Sequence, residues 1–108
     1  MTILDKTKKY YQTNSSDLDN FLETTTFLNT NPKYPNSVVI KFGTNKLVGE
    51  ISVWQHDNDS YIECEYADLT KLDKEPVCIV KTINADTLID ELTKQFDVLR
   101  NLRAPANL

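Results

Sequence analysis

His56 is the only histidine of the chain, and it stands beside an acid in the sequence WQHDND. A histidine next to a carboxylate could act as a general base, with the carboxylate orienting the ring. That chemistry needs a nucleophile, and no serine or cysteine lies at a spacing that makes it a nucleophile for His56. Histidines in turns next to acids are usually solvated. We therefore predict no catalytic residue, and we expect that the protein is not an enzyme.

Potential metal ligands are equally sparse. Cys64 and Cys78 are the only cysteines, and neither has a second cysteine or a histidine at the spacing of a zinc site. We expect both to be small, buried and reduced side chains. The sequence DND at residues 57–59 starts like a calcium loop, but no glycine follows and Asp68 stands where the twelfth-position glutamate is required. No metal or cofactor is predicted.

Acidic residues dominate the second half of the chain. Residues 1–54 carry six bases and five acids, whereas residues 55–108 carry six bases and eleven acids. The segment 57–75 alone holds seven acids and two lysines. Nucleic acid requires basic patches, so this balance argues against a nucleic-acid partner and favours a basic protein partner.

Part of this acidic segment belongs to a predicted β-hairpin, VGEISVWQHDNDSYIECEY. If the hairpin closes around Asn58, Trp54 lies opposite Tyr61, and two further pairs, Ser52 with Glu63 and Glu50 with Glu65, lie opposite each other. Successive residues of a strand point to opposite faces, so these side chains share one face. The apolar residues between them then face the core.

Two interpretations of this face remain open. It is either a solvated outer sheet surface with an aromatic pair that holds the hairpin together, or a protein-binding surface. Aromatic residues surrounded by charge are typical of binding hot spots, and facing glutamates destabilise a free protein. The candidate partner-binding residues are Glu50, Trp54, Asp57, Asp59, Tyr61, Glu63 and Glu65.

The remaining pattern predicts the elements that position this face. Apolar spacing predicts a helix over residues 2–13, which NSSDLDN interrupts. FLETTTFLN fits either a helix begun at Ser16 or a strand, and its threonine triplet favours the strand. NTNPKYPNS is a predicted loop, and strands follow in SVVIKF, LVGEISVW, YIECEY and VCIVKTI. The last strand is apolar on both faces, so we expect it to be central or well covered.

An amphipathic helix is predicted to close the chain. Asn84 is its expected N-cap, and Pro105 ends it. Apolar residues recur at intervals of three and four, so one stripe should face the sheet, formed by Leu88, Ile89, Leu92, Phe96, Leu99 and Leu102. The predicted fold is one α+β domain over residues 1–108: an antiparallel meander of four to five strands, with N- and C-terminal helices packed on one face.

The order of these elements, together with KLVGEISVW, resembles the TriTu family of bacterial immunity proteins. The resemblance covers roughly residues 30–100 and is carried by Leu47, Gly49, Ile51, Val53 and Trp54. Glu50 departs from the family pattern, in which an arginine or similar residue would follow the glycine.

This resemblance implies a cytosolic protein that binds and neutralises a cognate toxin domain, for which a nuclease with a basic cleft is the expected kind. No apolar run reaches the length of a membrane span and the N-terminus lacks the continuous apolar stretch of a secretory signal, so we expect a cytoplasmic protein with no membrane partner. Two alternatives remain: a small regulatory or adaptor module that binds an unrelated protein, and a ligand-binding or enzymatic domain with a pocket between sheet and helix.

Overall fold

The computed structural model describes residues 2–22, 24–28, 36–56, 59–71 and 73–103. Two helices and five strands lie in these ranges. In chain order they are α1 (Ile3–Phe21), β1 (Thr24–Leu28), β2 (Ser37–Gly43), β3 (Leu47–Trp54), β4 (Tyr61–Asp68), β5 (Val77–Thr82) and α2 (Leu88–Arg103). The strands form one antiparallel sheet in the order β1-β2-β3-β4-β5. The predicted α+β meander with terminal helices is confirmed.

The core lies between the two helices and one face of this sheet. Alternation along β2, β3 and β4 directs their apolar residues to that face, where they meet buried leucines and a phenylalanine from the helices. The core side chains are Leu18, Leu22, Val38, Ile40, Phe42, Leu47, Ile51, Val53, Ile62, Cys64, Ile83, Leu88, Leu92, Phe96 and Leu99. Polar residues of the same strands therefore point to the other side of the sheet.

Helix α1 is longer than predicted. It begins with a capping box, in which the backbone N–H of Asp5 donates to Thr2 Oγ1 at 3.1 Å and the Asp5 carboxylate accepts from the backbone N–H of Thr2. The predicted interruption at NSSDLDN is wrong, because the helix continues to Phe21. Asn14 turns its amide back to the Tyr10 carbonyl oxygen at 2.8 Å, and Leu18 is buried. Core packing of the last turns outweighs the weak helix propensity of this segment.

Helix α2 begins later than predicted. Asn84 caps a turn over residues 85–87 instead of the helix itself, since its Oδ1 accepts from the backbone N–H groups of Asp86 and Thr87 at 2.8 and 3.0 Å. Ile89 and Leu102, both predicted in the apolar stripe, are exposed. They lie beyond the edges of the stripe that contacts the core. Pro105 and most of the loop over residues 29–37 lie outside the described residues.

Strand β5 corrects the prediction that VCIVKTI is central or well covered. It is the edge strand next to β4, and Val77 and Val80 are exposed by 40% and 57%. Cys78 is exposed as well, whereas Cys64 is buried as predicted. An apolar pattern on both faces does not distinguish a central strand from an uncovered edge.

Candidate functional site

The side of the sheet opposite the helices is the candidate site, and we call it the open face. Alternation from the buried core residues assigns its members. They are Ser37, Val39, Lys41, Gly43, Val48, Glu50, Ser52, Trp54, Tyr61, Glu63, Glu65, Ala67, Cys78, Val80 and Thr82. The open face therefore combines aromatic, acidic and apolar side chains on a rigid support.

The predicted register of the central hairpin is confirmed. Trp54 pairs with Tyr61, Glu50 pairs with Glu65, and Ser52 pairs with Glu63. The rings of Trp54 and Tyr61 are stacked, with centroids 6.0 Å apart and planes inclined by 14°. Five of the seven candidate partner-binding residues thus lie together on the open face.

The two other candidates lie at the turn between β3 and β4. Asp59 is exposed and lies just outside β4, so it borders the open face without belonging to its alternation. Asp57 lies outside the described residues. The turn is held by Ser60, whose Oγ accepts from the backbone N–H of His56 at 3.2 Å and donates to the His56 carbonyl oxygen at 3.0 Å. The hydroxyl of Ser60 is thus engaged with the backbone.

His56 extends the aromatic pair into a row of three rings. Its imidazole stacks on Tyr61 with centroids 5.9 Å apart and planes inclined by 17°, although the residue is exposed. Nδ1 of His56 lies 3.4 Å from Nδ2 of Asn36. The sequence predicted a solvated turn residue and missed this stacking, since no pattern marks it.

The acids of the open face differ in their surroundings. Glu50 lies between Lys41 of β2 and Glu65 of β4, so one opposite and one like charge flank it. Glu65 lies between Glu50 and Cys78 and has no basic residue as a directly paired neighbour. The negative charge at Glu65 is therefore the less compensated of the two.

A shallow hollow opens beside these two glutamates. Its volume is about 430 Å³. The lining residues are Lys41, Phe42, Val48, Gly49, Glu50, Glu65, Tyr66, Ala67 and Pro76. An apolar floor with carboxylates at its margin suits the aliphatic stem and charged end of a lysine or arginine side chain.

Gly49 allows β3 and β4 to approach each other beneath this hollow. A Cβ built at Gly49 would lie 2.2 Å from the carbonyl oxygen of Glu65 and 2.7 Å from Cβ of Tyr66. A glycine within a strand often marks a bulge or the close approach of another backbone. The register runs through Gly49 without a bulge, and the close element is the neighbouring strand.

At the far end of β4, Asp68 is held by hydrogen bonds from Thr70. Its carboxylate accepts from the Thr70 hydroxyl at 2.5 Å and from the Thr70 backbone N–H at 2.9 Å. These hydrogen bonds lower the pKa of Asp68. Both hydrogen bonds end on Oδ1 of Asp68, and Nζ of Lys71 lies 3.9 Å from its Oδ2.

The described part of the chain contains no group of three or more His, Cys, Asp or Glu residues that could hold a metal ion. None of its helices is long and apolar enough to cross a membrane. Comparisons with protein-family models, with curated proteins and with solved structures find no match to this chain.

Proposed function

We propose that this chain is an immunity protein that binds a cognate bacterial toxin domain through its open face and neutralises it without any chemistry of its own. The observation that carries the proposal is the stacked pair of Trp54 and Tyr61 beside Glu50, Glu63 and Glu65, on the face opposite the two described helices. The resemblance of KLVGEISVW and of the element order to the TriTu family supports the same function.

The charge of the open face determines the kind of partner. A nuclease toxin binds phosphates with a basic cleft, and an acidic protein fills such a cleft with complementary charge. Association would then be fast and sensitive to salt. The proposed setting is the cytosol of the bacterium that the protein protects.

The aromatic pair supplies the other part of the proposed interface. Trp54 and Tyr61 are each half-buried, so their rings are already held in place before a partner arrives. Rigid aromatic side chains lose little conformational entropy on binding, which is why they are frequent at hot spots. The hollow beside Glu50 and Glu65 would receive a basic side chain of the toxin.

The test is co-expression with the polypeptide encoded next to this gene, followed by purification and titration of the complex at low and high salt. We expect a tight complex that salt weakens. The double change Glu63→Lys with Glu65→Lys should lower the affinity by about 100-fold or more, because it reverses two charges within the interface. Circular dichroism should show an unchanged fold, since both residues lie on the open face.

The matched control is Asp73→Lys with Glu75→Lys. These two residues are exposed and lie between β4 and β5, so the control changes net charge equally while leaving the open face intact. It should keep the affinity within a few-fold of the wild type. If the double change at Glu63 and Glu65 leaves binding tight, the proposed function stands and the interface lies elsewhere. Absence of both binding and protection from toxicity would discard the proposal in favour of an adaptor module.

A further inference from the structure

The backbone of β5 presents unpaired hydrogen-bonding groups along the edge of the sheet. Ile83 donates its backbone N–H to the Ser60 carbonyl oxygen at 3.0 Å, so residue 83 faces β4. In an antiparallel strand, the N–H and C=O groups of successive residues point alternately toward one side of the strand and the other. Cys78, Val80 and Thr82 therefore direct their N–H and C=O groups away from β4, toward the open edge.

This edge is only partly protected: Pro76 directly precedes β5, and the exposed Lys81 is its one charged residue. Edges are usually protected by charged side chains, bulges, prolines or a covering element. The three residues whose backbone faces outward are all uncharged, and the register of β5 with β4 runs without a bulge. Val80, at the centre, is 57% exposed, the highest value among the large hydrophobic residues of the described chain. At the opposite edge of the sheet, the backbone of β1 lies close to that of α1.

We propose that β5 pairs with β5 of a second copy of this chain, antiparallel about a two-fold axis that passes through the Val80 pair. In this register Val80 faces Val80, and Cys78 faces Thr82 on each side of the axis. All three outward-facing residues then form hydrogen-bonded pairs, and about six backbone hydrogen bonds join the copies. A self-complementary contact of this kind closes as a dimer.

The antiparallel register shifted by one residue forms fewer hydrogen bonds between the copies. With Ile79 on the axis, only Cys78 and Val80 form hydrogen-bonded pairs, and about four bonds result. The Val80-centred register also places Val80 side chains together on the open face, where water otherwise surrounds them. In the Val80-centred register, a second copy thus pairs the outward N–H and C=O groups of Cys78, Val80 and Thr82.

The acids of the open face do not oppose this pairing. Glu63 lies on β4, and the β4 strands of the two copies are three strand spacings apart, about 14 Å. That separation exceeds the Debye length of about 8 Å at physiological salt. The interface of one short strand is small, so we expect a dissociation constant in the micromolar range. The two open faces stay uncovered in the dimer, and the proposal is independent of any toxin.

Sedimentation equilibrium of the full chain from micromolar to millimolar concentration tests the pairing. The expected result is a reversible shift from 12.4 kDa to twice that mass. Val80→Pro should abolish the shift, because proline removes the outward N–H of residue 80 without removing a hydrogen bond to β4. A wild-type chain that stays monomeric throughout, or a folded Val80→Pro dimer, would overturn the proposal.

Thr25→Pro is the matched control at the other edge. Gln55 donates its backbone N–H to the Asn36 carbonyl oxygen, so alternation directs the N–H of Thr25 away from β2. This variant should dimerise as the wild type does. Loss of the dimer in Thr25→Pro and its retention in Val80→Pro would assign the contact to β1 instead.

Cysteine pairing tests the register independently of any proline effect. Thr82→Cys places a thiol opposite Cys78 of the second copy, at the Cα separation of about 5.5 Å that a disulfide accepts. Mild oxidation should then give a covalent dimer in denaturing electrophoresis. The same change in a Cys78→Ser background should give none. A failure of Thr82→Cys to cross-link, or cross-linking without Cys78, would overturn the Val80-centred register.

Discussion

At the residue scale, Gly49 is the position where a single added atom has the largest expected effect. A methyl group there would meet backbone atoms of β4 at 2.2 and 2.8 Å, which real Cβ atoms do not approach. Backbone in the middle of a sheet yields less readily than a side-chain end. We expect Gly49→Ala to lower the free energy of unfolding by about 3 kcal/mol, measured by urea denaturation.

Gly43 provides the matched control for this substitution. It lies at the end of β2, and the nearest atom to a Cβ built there is Cγ2 of Val48 at 3.9 Å, an ordinary contact. Gly43→Ala should therefore be neutral or stabilise the protein by up to about 1 kcal/mol, since it restricts the unfolded chain. Equal effects of the two substitutions would show that β3 and β4 do not approach each other closely at Gly49.

The two cysteines are expected to differ in reactivity. Cys78 is exposed on β5, whereas Cys64 is buried under the helices. Burial raises the pKa of the Cys64 thiol to about 12. We expect a thiol reagent to modify one cysteine per folded chain at neutral pH and both in urea. Rapid modification of both cysteines without denaturant would contradict the burial of Cys64.

The same shift makes stability depend on alkaline pH. The Cys64 thiol ionises near 9 in the unfolded chain and only near 12 in the folded chain, so the unfolded state loses its proton first. The contribution of Cys64 to stability is therefore complete below pH 9 and is lost between pH 9 and 12, by up to about 1.4 kcal/mol per pH unit. Urea denaturation across this range should show a flatter decline in Cys64→Ala.

At the element scale, the turn before α2 depends on one side chain. Asn84 accepts two backbone hydrogen bonds through Oδ1, and no other residue of the turn replaces that acceptor if it is removed. We expect Asn84→Ala to lower the free energy of unfolding by about 1 kcal/mol. Asn101→Ala, at an exposed position within α2, should instead raise it by a few tenths of a kcal/mol, because alanine favours the helix interior. Similar losses in both would contradict the capping role of Asn84.

The elements that sequence predicted well are those defined by strict alternation. The strand over residues 47–54 and its pairing with the next strand follow from the side-chain period and the turn length alone. The wrong predictions concern elements whose length or position is set by tertiary packing. Asn14 and its neighbours favour a break locally, but Leu18 reaches the core and keeps α1 intact. The apolar pattern on both faces of β5 predicts a strand, but it does not indicate whether that strand lies at the centre or at the edge of the sheet.

At the scale of the whole molecule, a sheet covered on one side keeps the core residues apart from the proposed binding face. The helices and the inner face hold the core, while the acids and the aromatic pair occupy the outer face. The sequence predicted five of these residues as neighbours, because cross-strand pairing follows from one register. It did not indicate that Lys41 lies beside Glu50 or that Val80 lies beside Glu63, since those contacts depend on how β2 and β5 join the hairpin.

This separation predicts that stability and binding respond in opposite ways to the charge of Glu65. Glu65 faces Glu50 and lacks a paired basic neighbour, whereas Glu50 also faces Lys41. Glu65→Gln removes the repulsion between residues 50 and 65 and keeps the attraction between Glu50 and Lys41. The free energy of unfolding should therefore rise by about 0.5 kcal/mol at low salt and change little in 1 M NaCl.

The affinity for the proposed basic partner should fall in the same variant, because Glu65 is part of the charge that attracts it. Paired measurements of urea denaturation and titration at two salt concentrations check both effects, with Glu75→Gln as an exposed control outside the strands. If Glu65→Gln is less stable than the wild type, Glu65 stabilises the fold. Unchanged affinity with raised stability would remove Glu65 from the interface and leave the facing glutamates without a role in binding.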